Sequence, residues 1–242
     1  MIHCFKTTNI LVDKLSICFL DYIVSGGSSG RQLNIALSGG NTPRAFFDKI
    51  ALKQRKTDKP VQWKNIHFFL VDERCVPPDH TDSNYGMIHG ALFGKIDLPA
   101  RNIHRIRGED DPEREAYRYE QEIHAQVPGK KGIPIFDWIF LGTGEDGHTA
   151  SIFPDRTDLL ASANIVEAVK HPVTGKPRIT LTGKPIIQAK KITFLVTGES
   201  KSLIVRQIIN QEPDAAHYPA AYINAQRHDT EWYLDTAAAK YL

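Results

Sequence analysis

The stretch that most constrains this chain runs from Ile135 to Pro154, where an apolar segment gives way to three glycines, a carboxylate and an imidazole. Ile135, Phe136 and Trp138 to Leu141 are apolar without alternation, the pattern of a strand buried on both faces. Gly142, Gly144 and Gly147 then carry the backbone through a bend that admits only small residues. Asp146 and His148 stand in that bend. Open α/β sheets bind ligands in the crevice outside the carboxyl ends of their strands, so the pair marks a candidate site. In isolation it would equally fit a helix cap beside a surface histidine.

Two more strands end in chemistry-bearing turns. Gln32 to Leu37 reads as a strand entering Ser38-Gly39-Gly40, after which Asn41 or Thr42 caps a helix with Pro43 in its first turn and Phe46, Phe47 and Ile50 on its inner face. Such a turn offers free N–H groups and a positive helix end, which suit a phosphate; it also fits an ordinary strand-to-helix connection. Ile66 to Val71 is a second buried strand, delivering Asp72-Glu73-Arg74. Arg74 fits either a bidentate contact to phosphate or carboxylate, or an internal salt bridge to Asp72 or Glu73. Pro77-Pro78 imposes a loop, and Thr81, Asp82 or Ser83 caps the helix that follows. The alternation predicts one doubly wound α/β domain over residues 1–242, with a mostly parallel, Rossmann-like sheet and helices on both faces.

Elsewhere, apolar residues at helical intervals predict a helix over Thr8 to Val24, capped by Thr7, Thr8 or Asn9, with a flexible turn from Gly26 to Gly30. Asn102 to Ile106 reads as a short strand, and Asp111 to Gln126 as a polar helix whose charges form a solvated face. Pro128 to Pro134 is expected as a surface loop. Strands are expected at Ile165 to Val169, Arg178 to Thr182 and Lys191 to Thr197. Lys201 then lies in the first turn of a helix reaching Ile209, where a cation needs an anionic partner such as a bound phosphate or Glu199. Tyr218 to Asn224 and Trp232 to Leu234 read as two short strands closing the sheet, with His228 between them assigned no role.

Composition and motifs exclude several classes. With 30 Lys and Arg against 28 Asp and Glu, no basic field exists to hold nucleic acid. Cys4, Cys18 and Cys75 form neither a disulfide framework nor a zinc spacing. Leu15 to Val24 is too short to span a membrane and lacks the basic lead-in of a signal peptide, so a soluble cytoplasmic protein is expected. No Walker loop occurs. Gly142-x-Gly144-x-x-Gly147 satisfies the dinucleotide fingerprint, with Glu167 about 20 residues beyond, but Pro154 stops the long helix that fingerprint needs. A pyridine-nucleotide enzyme is therefore a weak runner-up. Asp146 and His148 lack a third metal ligand, and Ser151 is in no Gly-x-Ser-x-Gly elbow.

Four motifs together carry a resemblance: Ser38 to Pro43, Asp72 to Arg74 with Ser83-Asn84-Tyr85, Gly142 to Pro154, and Arg178 to Thr182. In this order they resemble the 6-phosphogluconolactonases of the glucosamine-6-phosphate isomerase/6-phosphogluconolactonase family, over nearly the whole chain. The resemblance implies hydrolysis of 6-phosphoglucono-1,5-lactone to 6-phosphogluconate in the oxidative pentose phosphate pathway, with no metal or organic cofactor. The phosphosugar lactone is the expected partner, and a monomer or weak homodimer the expected assembly. It further implies a substrate site from Ser38, Gly39, Gly40, Thr42, Asp72, Arg74, Arg178 and Lys201, with Arg178 at the phosphate end.

Lactone hydrolysis needs an activated water, a stabilised oxyanion and a protonated leaving oxygen. Imidazole titrates near neutral pH, so His148 suits the proton transfers and Asp146 suits its orientation. Two rivals share the resemblance. Sugar-phosphate deaminases carry Glu-Pro where this chain has Phe153-Pro154, and a tyrosine where it has Arg74. Non-catalytic sugar-phosphate-sensing domains share the general fold, but Asp146 and His148 are both present here and no DNA-binding segment is.

Overall fold

A computed structural model describes residues 1–27, 30–56 and 61–242. The chain starts with β1 (Ile2–Phe5), α1 (Thr8–Gly27), β2 (Leu33–Leu37), α2 (Asn41–Lys53), β3 (Ile66–Leu70), β4 (Asp72–Arg74), α3 (Asn84–Ala91) and β5 (Ile103–His104). It continues through α4 (Pro112–Gln126), a hairpin of β6 (Gly129–Lys130) and β7 (Ile133–Pro134), β8 (Trp138–Leu141), β9 (Val166–Lys170) and β10 (Pro177–Leu181). The last elements are α5 (Gly183–Gln188), β11 (Ile192–Val196), α6 (Ser202–Ile209), α7 (Pro219–Gln226) and β12 (Glu231–Asp235).

Seven strands form the central sheet in the order β1-β12-β11-β8-β2-β3-β5, and every neighbouring pair is parallel. From β2 the chain steps outward through β3 and β5, then returns to the other side through β8, β11 and β12. The direction therefore reverses between β2 and β8, and a crevice opens where such strands diverge at their carboxyl ends. Strands β2, β8 and β11 are buried along their whole length, as their mainly apolar sequence favours, and the two polar side chains among them, Asn34 and Thr193, are buried as well. Phe46 of α2 packs on Phe140 of β8 with ring centroids 5.1 Å apart, and edge-on against Phe19 of α1 at 5.8 Å. The buried side chains form one contiguous core.

A second sheet was not legible in the sequence. Strands β4, β10 and β9 form it in that order, all antiparallel. Val71 is the junction between the two sheets. Its N–H donates to Leu37 O at 2.9 Å, while its carbonyl accepts from Leu181 N at 2.8 Å. Asp72, Glu73 and Arg74, expected at the carboxyl end of the buried strand, consequently form a strand of their own in the second sheet.

Other expectations are corrected. Tyr218 to Asn224 is no strand: Pro219 opens α7, which buries Ala220 and Ile223. Pro at the first position and the following alanines favour helix and outweigh the β preference of Tyr222 and Ile223. Helix α1 continues through Gly26 and Gly27, and Ser28 and Ser29 of the expected turn lie outside the described residues. Its cap is Thr7, whose hydroxyl accepts from Ile10 N at 3.3 Å. Gly40 occupies the cap of α2 without a side-chain bond, so neither Asn41 nor Thr42 serves there. Ser83 caps α3, accepting from Gly86 N at 3.0 Å. The 128–134 segment contains the β6–β7 hairpin. The acids of α4 are only partly a solvated face, because Glu115 is buried and accepts from Arg107 N at 2.7 Å, and Glu120 accepts from Ile165 N at 2.9 Å.

At the β3–β5 edge, His67 Nδ1 lies 2.9 Å from His104 Nε2, and His104 Nδ1 lies 2.7 Å from Glu122 Oε1. Burial, then the charges of His104 and Arg101, push the His67 imidazole down to about 4 from 6.5. A base depressed in the folded state contributes stability fully above its unfolded pKa and loses it as pH falls through the interval. Thermal unfolding should show stability declining between about pH 6.5 and 4, and His67→Gln should flatten the curve in that window. An unchanged curve would remove His67 as the source. Among the described residues no helix is long and apolar enough to cross a membrane.

Candidate active site

The reversal between β2 and β8 places their carboxyl ends side by side, and Ser38 Oγ donates to Phe140 O at 2.8 Å across them. A cleft of about 500 Å³ opens there. Ser38 and Gly39 come to it from the end of β2, and Gly142 and Thr143 from the end of β8. Asp72 and Arg74 from β4, and Arg178 from β10, form a wall with Asn84 at the start of α3. His148 and Ala150 complete the lining.

The turn after β8 is closed by Gly144 N donating to His148 O at 2.9 Å and Gly147 N to Gly144 O at 3.2 Å. A Cβ on Gly144 would lie 2.2 Å from His148 Nδ1 and 2.3 Å from Asp146 Oδ1, so only glycine lets these side chains fold over the backbone. Pro154 opens a short 3-10 segment to Leu160, and no helix forms between Gly147 and Pro154. The long helix that a dinucleotide loop requires is therefore missing.

Asp146 Oδ1 lies 2.6 Å from His148 Nδ1 and accepts from His148 N at 3.2 Å. Burial opposes ionisation of Asp146, but the hydrogen bond and charge of His148 outweigh it and hold the carboxyl down at about 2. An ionised carboxylate only accepts hydrogen bonds, so the proton in this contact sits on His148 Nδ1. Neutral imidazole then carries its lone pair on Nε2, free to take a proton. Phe153, 1% exposed, backs His148 with ring centroids 5.0 Å apart.

Arg74 and Arg178 are direct cross-strand partners in the β4–β10 register. Like charges opposite one another destabilise a sheet, and among the described residues no carboxylate pairs with either guanidinium. Arg74 Nη1 donates to Asp82 O at 2.5 Å, and the Nε atoms of both arginines are buried without a partner. Burial, then the charge of Arg74, lowers the pKa of Arg178. The internal salt bridge that Arg74 might have made with Asp72 or Glu73 is not formed. Glu73, 1% exposed, instead accepts the backbone N–H groups of Arg74, Asn84 and Tyr85, each at 2.7 Å.

Of the ten residues read as a site from sequence, six line the cleft: Ser38, Gly39, Asp72, Arg74, His148 and Arg178. Asp146 touches it through His148. Gly40 lines an adjoining hollow with Asn41 and Arg44. Thr42 Oγ1 lies 2.7 Å from Thr197 Oγ1, joining α2 to the end of β11. Lys201 Nζ lies 3.8 Å from Glu145, its anionic partner in place of Glu199, which binds Lys240. Asn84, Gly142, Thr143 and Ala150 escaped the sequence reading as lining residues. Asn84 had a signal in the Ser83-Asn84-Tyr85 motif, and the structure shows why Gly39 faces it: a Cβ there would lie 1.8 Å from Asn84 Oδ1, so the glycine makes room for the amide.

A model of the family described as glucosamine-6-phosphate isomerases/6-phosphogluconolactonase matches residues 7–232. A 6-phosphogluconolactonase of Haemophilus influenzae is 44% identical over 238 residues, covering 98% of each chain. One from Aggregatibacter actinomycetemcomitans is 42% identical over the same length and shares. The crystal structure of 6-phosphogluconolactonase from Thermotoga maritima superposes with a TM-score of 0.82 at 28% identity, covering 97% of this chain and 99% of the other. Fold, motif order and these relatives agree, and the chain belongs to the glucosamine-6-phosphate isomerase/6-phosphogluconolactonase family.

Proposed function

We propose that the chain hydrolyses 6-phosphoglucono-1,5-lactone to 6-phosphogluconate by water attack assisted by His148. The observation that carries this is a histidine with a free Nε2, held by an ionised aspartate, in a cleft whose wall bears two arginines without carboxylate partners. Nε2 removes a proton from water as its oxygen bonds to the lactone carbonyl carbon. The resulting imidazolium, stabilised by Asp146, returns the proton to the ring oxygen as the carbon–oxygen bond breaks, leaving a carboxylic acid that ionises. Arg74 and Arg178 supply the anion site for the phosphate, supported by the turn from Ser38 to Gly40 that leads into α2. Phe153 places an apolar ring where the deaminase pattern has a carboxylate, which favours the lactonase over that rival.

The test generates the lactone in situ and follows its loss against the spontaneous rate; no acceleration would reject the activity. Arg178→Ala should lower kcat/KM on the phosphorylated lactone by about 10- to 150-fold, the loss of one charge-assisted contact. Unphosphorylated gluconolactone should be a poor substrate for the wild type and nearly insensitive to the substitution. Equal turnover of both lactones by the wild type would remove the phosphate role of the arginines.

A further inference from the structure

The motif that carries His148 continues to Ser151, which the chemistry above leaves unused. Ser151 is fully buried, and its hydroxyl donates to Asp72 Oδ2 at 2.6 Å. Its backbone N–H donates to Thr180 Oγ1 at 3.1 Å, and that hydroxyl donates onward to Leu181 O at 2.9 Å. Thr180 is itself the cross-strand partner of Asp72. One serine thus ties the turn after β8 to β4 and β10. It is no nucleophile, since it has no surface open to a substrate.

Asp72 is 6% exposed and lines the cleft. Its Oδ2 is committed to Ser151, whereas Oδ1 has only a long contact of 3.4 Å from Asn84 Nδ2, which bonds more closely to the Asp72 carbonyl at 2.9 Å. Oδ1 therefore keeps accepting capacity at the cleft wall. A carboxylate accepts hydrogen bonds and repels phosphate, so the group it suits in a phosphosugar is a hydroxyl. We propose that Ser151 is a positioning residue, which holds the Asp72 carboxylate as the acceptor for a ring hydroxyl of the lactone. The proposal rests on the functional reading above. Without the serine donor, Oδ2 is left buried and unsatisfied, the carboxylate turns to find another donor, and Oδ1 leaves its place.

A double-mutant cycle on the full chain tests this, with Ser151→Ala, Asp72→Asn and the pair compared in kcat/KM on lactone generated in situ. Ser151→Ala should lose about 10- to 100-fold, mainly as a raised KM. The double variant should be no worse than Asp72→Asn alone, since the serine acts through the aspartate. Ser151→Thr, which keeps the hydroxyl, should recover activity. Ser151→Cys, near in size but a weak donor, takes the place of the alanine variant if that one fails to fold. Multiplicative losses, or a Ser151→Thr variant as impaired as Ser151→Ala, would overturn the role of Ser151 while leaving the lactonase reading intact. A wild type inactive on the lactone would remove both.

Discussion

Replacing His148 with alanine is expected to lower kcat by about two to four orders of magnitude, the contribution typical of a positioned general base. The side chain is 31% exposed, and among the described residues its ring hydrogen-bonds to Asp146, itself half exposed, and meets the core at Phe153 alone, so its loss costs little packing. The variant should unfold at nearly the wild-type temperature while hydrolysing lactone close to the spontaneous rate. Asp146→Asn should lie between the two, because an amide in the same place no longer stabilises the imidazolium and presents a donor to Nδ1 as readily as an acceptor. Progress curves on lactone generated in situ decide the matter, and a His148→Ala enzyme at wild-type rate would sink the mechanism.

The largest effect on stability is expected at a residue outside the chemistry. Glu73 accepts three backbone N–H groups and the Ser83 hydroxyl, the last at 3.1 Å. These bonds fasten the start of α3 to β4, and so fix Asn84 and Arg74 in the wall of the cleft. Glu73→Ala leaves several buried donors without an acceptor at about 1–3 kcal/mol each, partly relieved by water, for a net loss of about 3–5 kcal/mol. For a chain of this size that is a fall in Tm of about 10 °C. Denaturant unfolding would give the free energy directly, and a change below about 1 kcal/mol would show that this network is not what holds the segment.

The contrast between these residues shows where sequence is informative. His148 and Asp146 are legible because a glycine turn after an apolar strand has few structural reasons to carry two titratable groups. Glu73 is not, since two of its three backbone partners, Asn84 N and Tyr85 N, lie 11 and 12 residues away, and backbone hydrogen bonding leaves no residue type to read. Arg74 and Arg178 were each legible as charges at strand ends, but their pairing across β4 and β10 was not. It depends on the chain leaving the main sheet at Val71, where nothing in the local sequence marks a break. The strand expected at Tyr218 failed for a different reason, since Pro219 and the two alanines after it are local helix signals that the short apolar run obscured.

Local sequence by itself determined the alternation of buried strands and helices, the short stretches from which the caps of α1 and α3 come, and the turn that brings Asp146 to His148. Each of these follows from side-chain period or from backbone geometry within a few residues. Tertiary structure alone decided the second sheet, the lack, among the described residues, of an ion pair for either arginine, and the bond from Ser151 to Asp72. Those three depend on which distant strands meet and in what register, and no short window of sequence contains both partners.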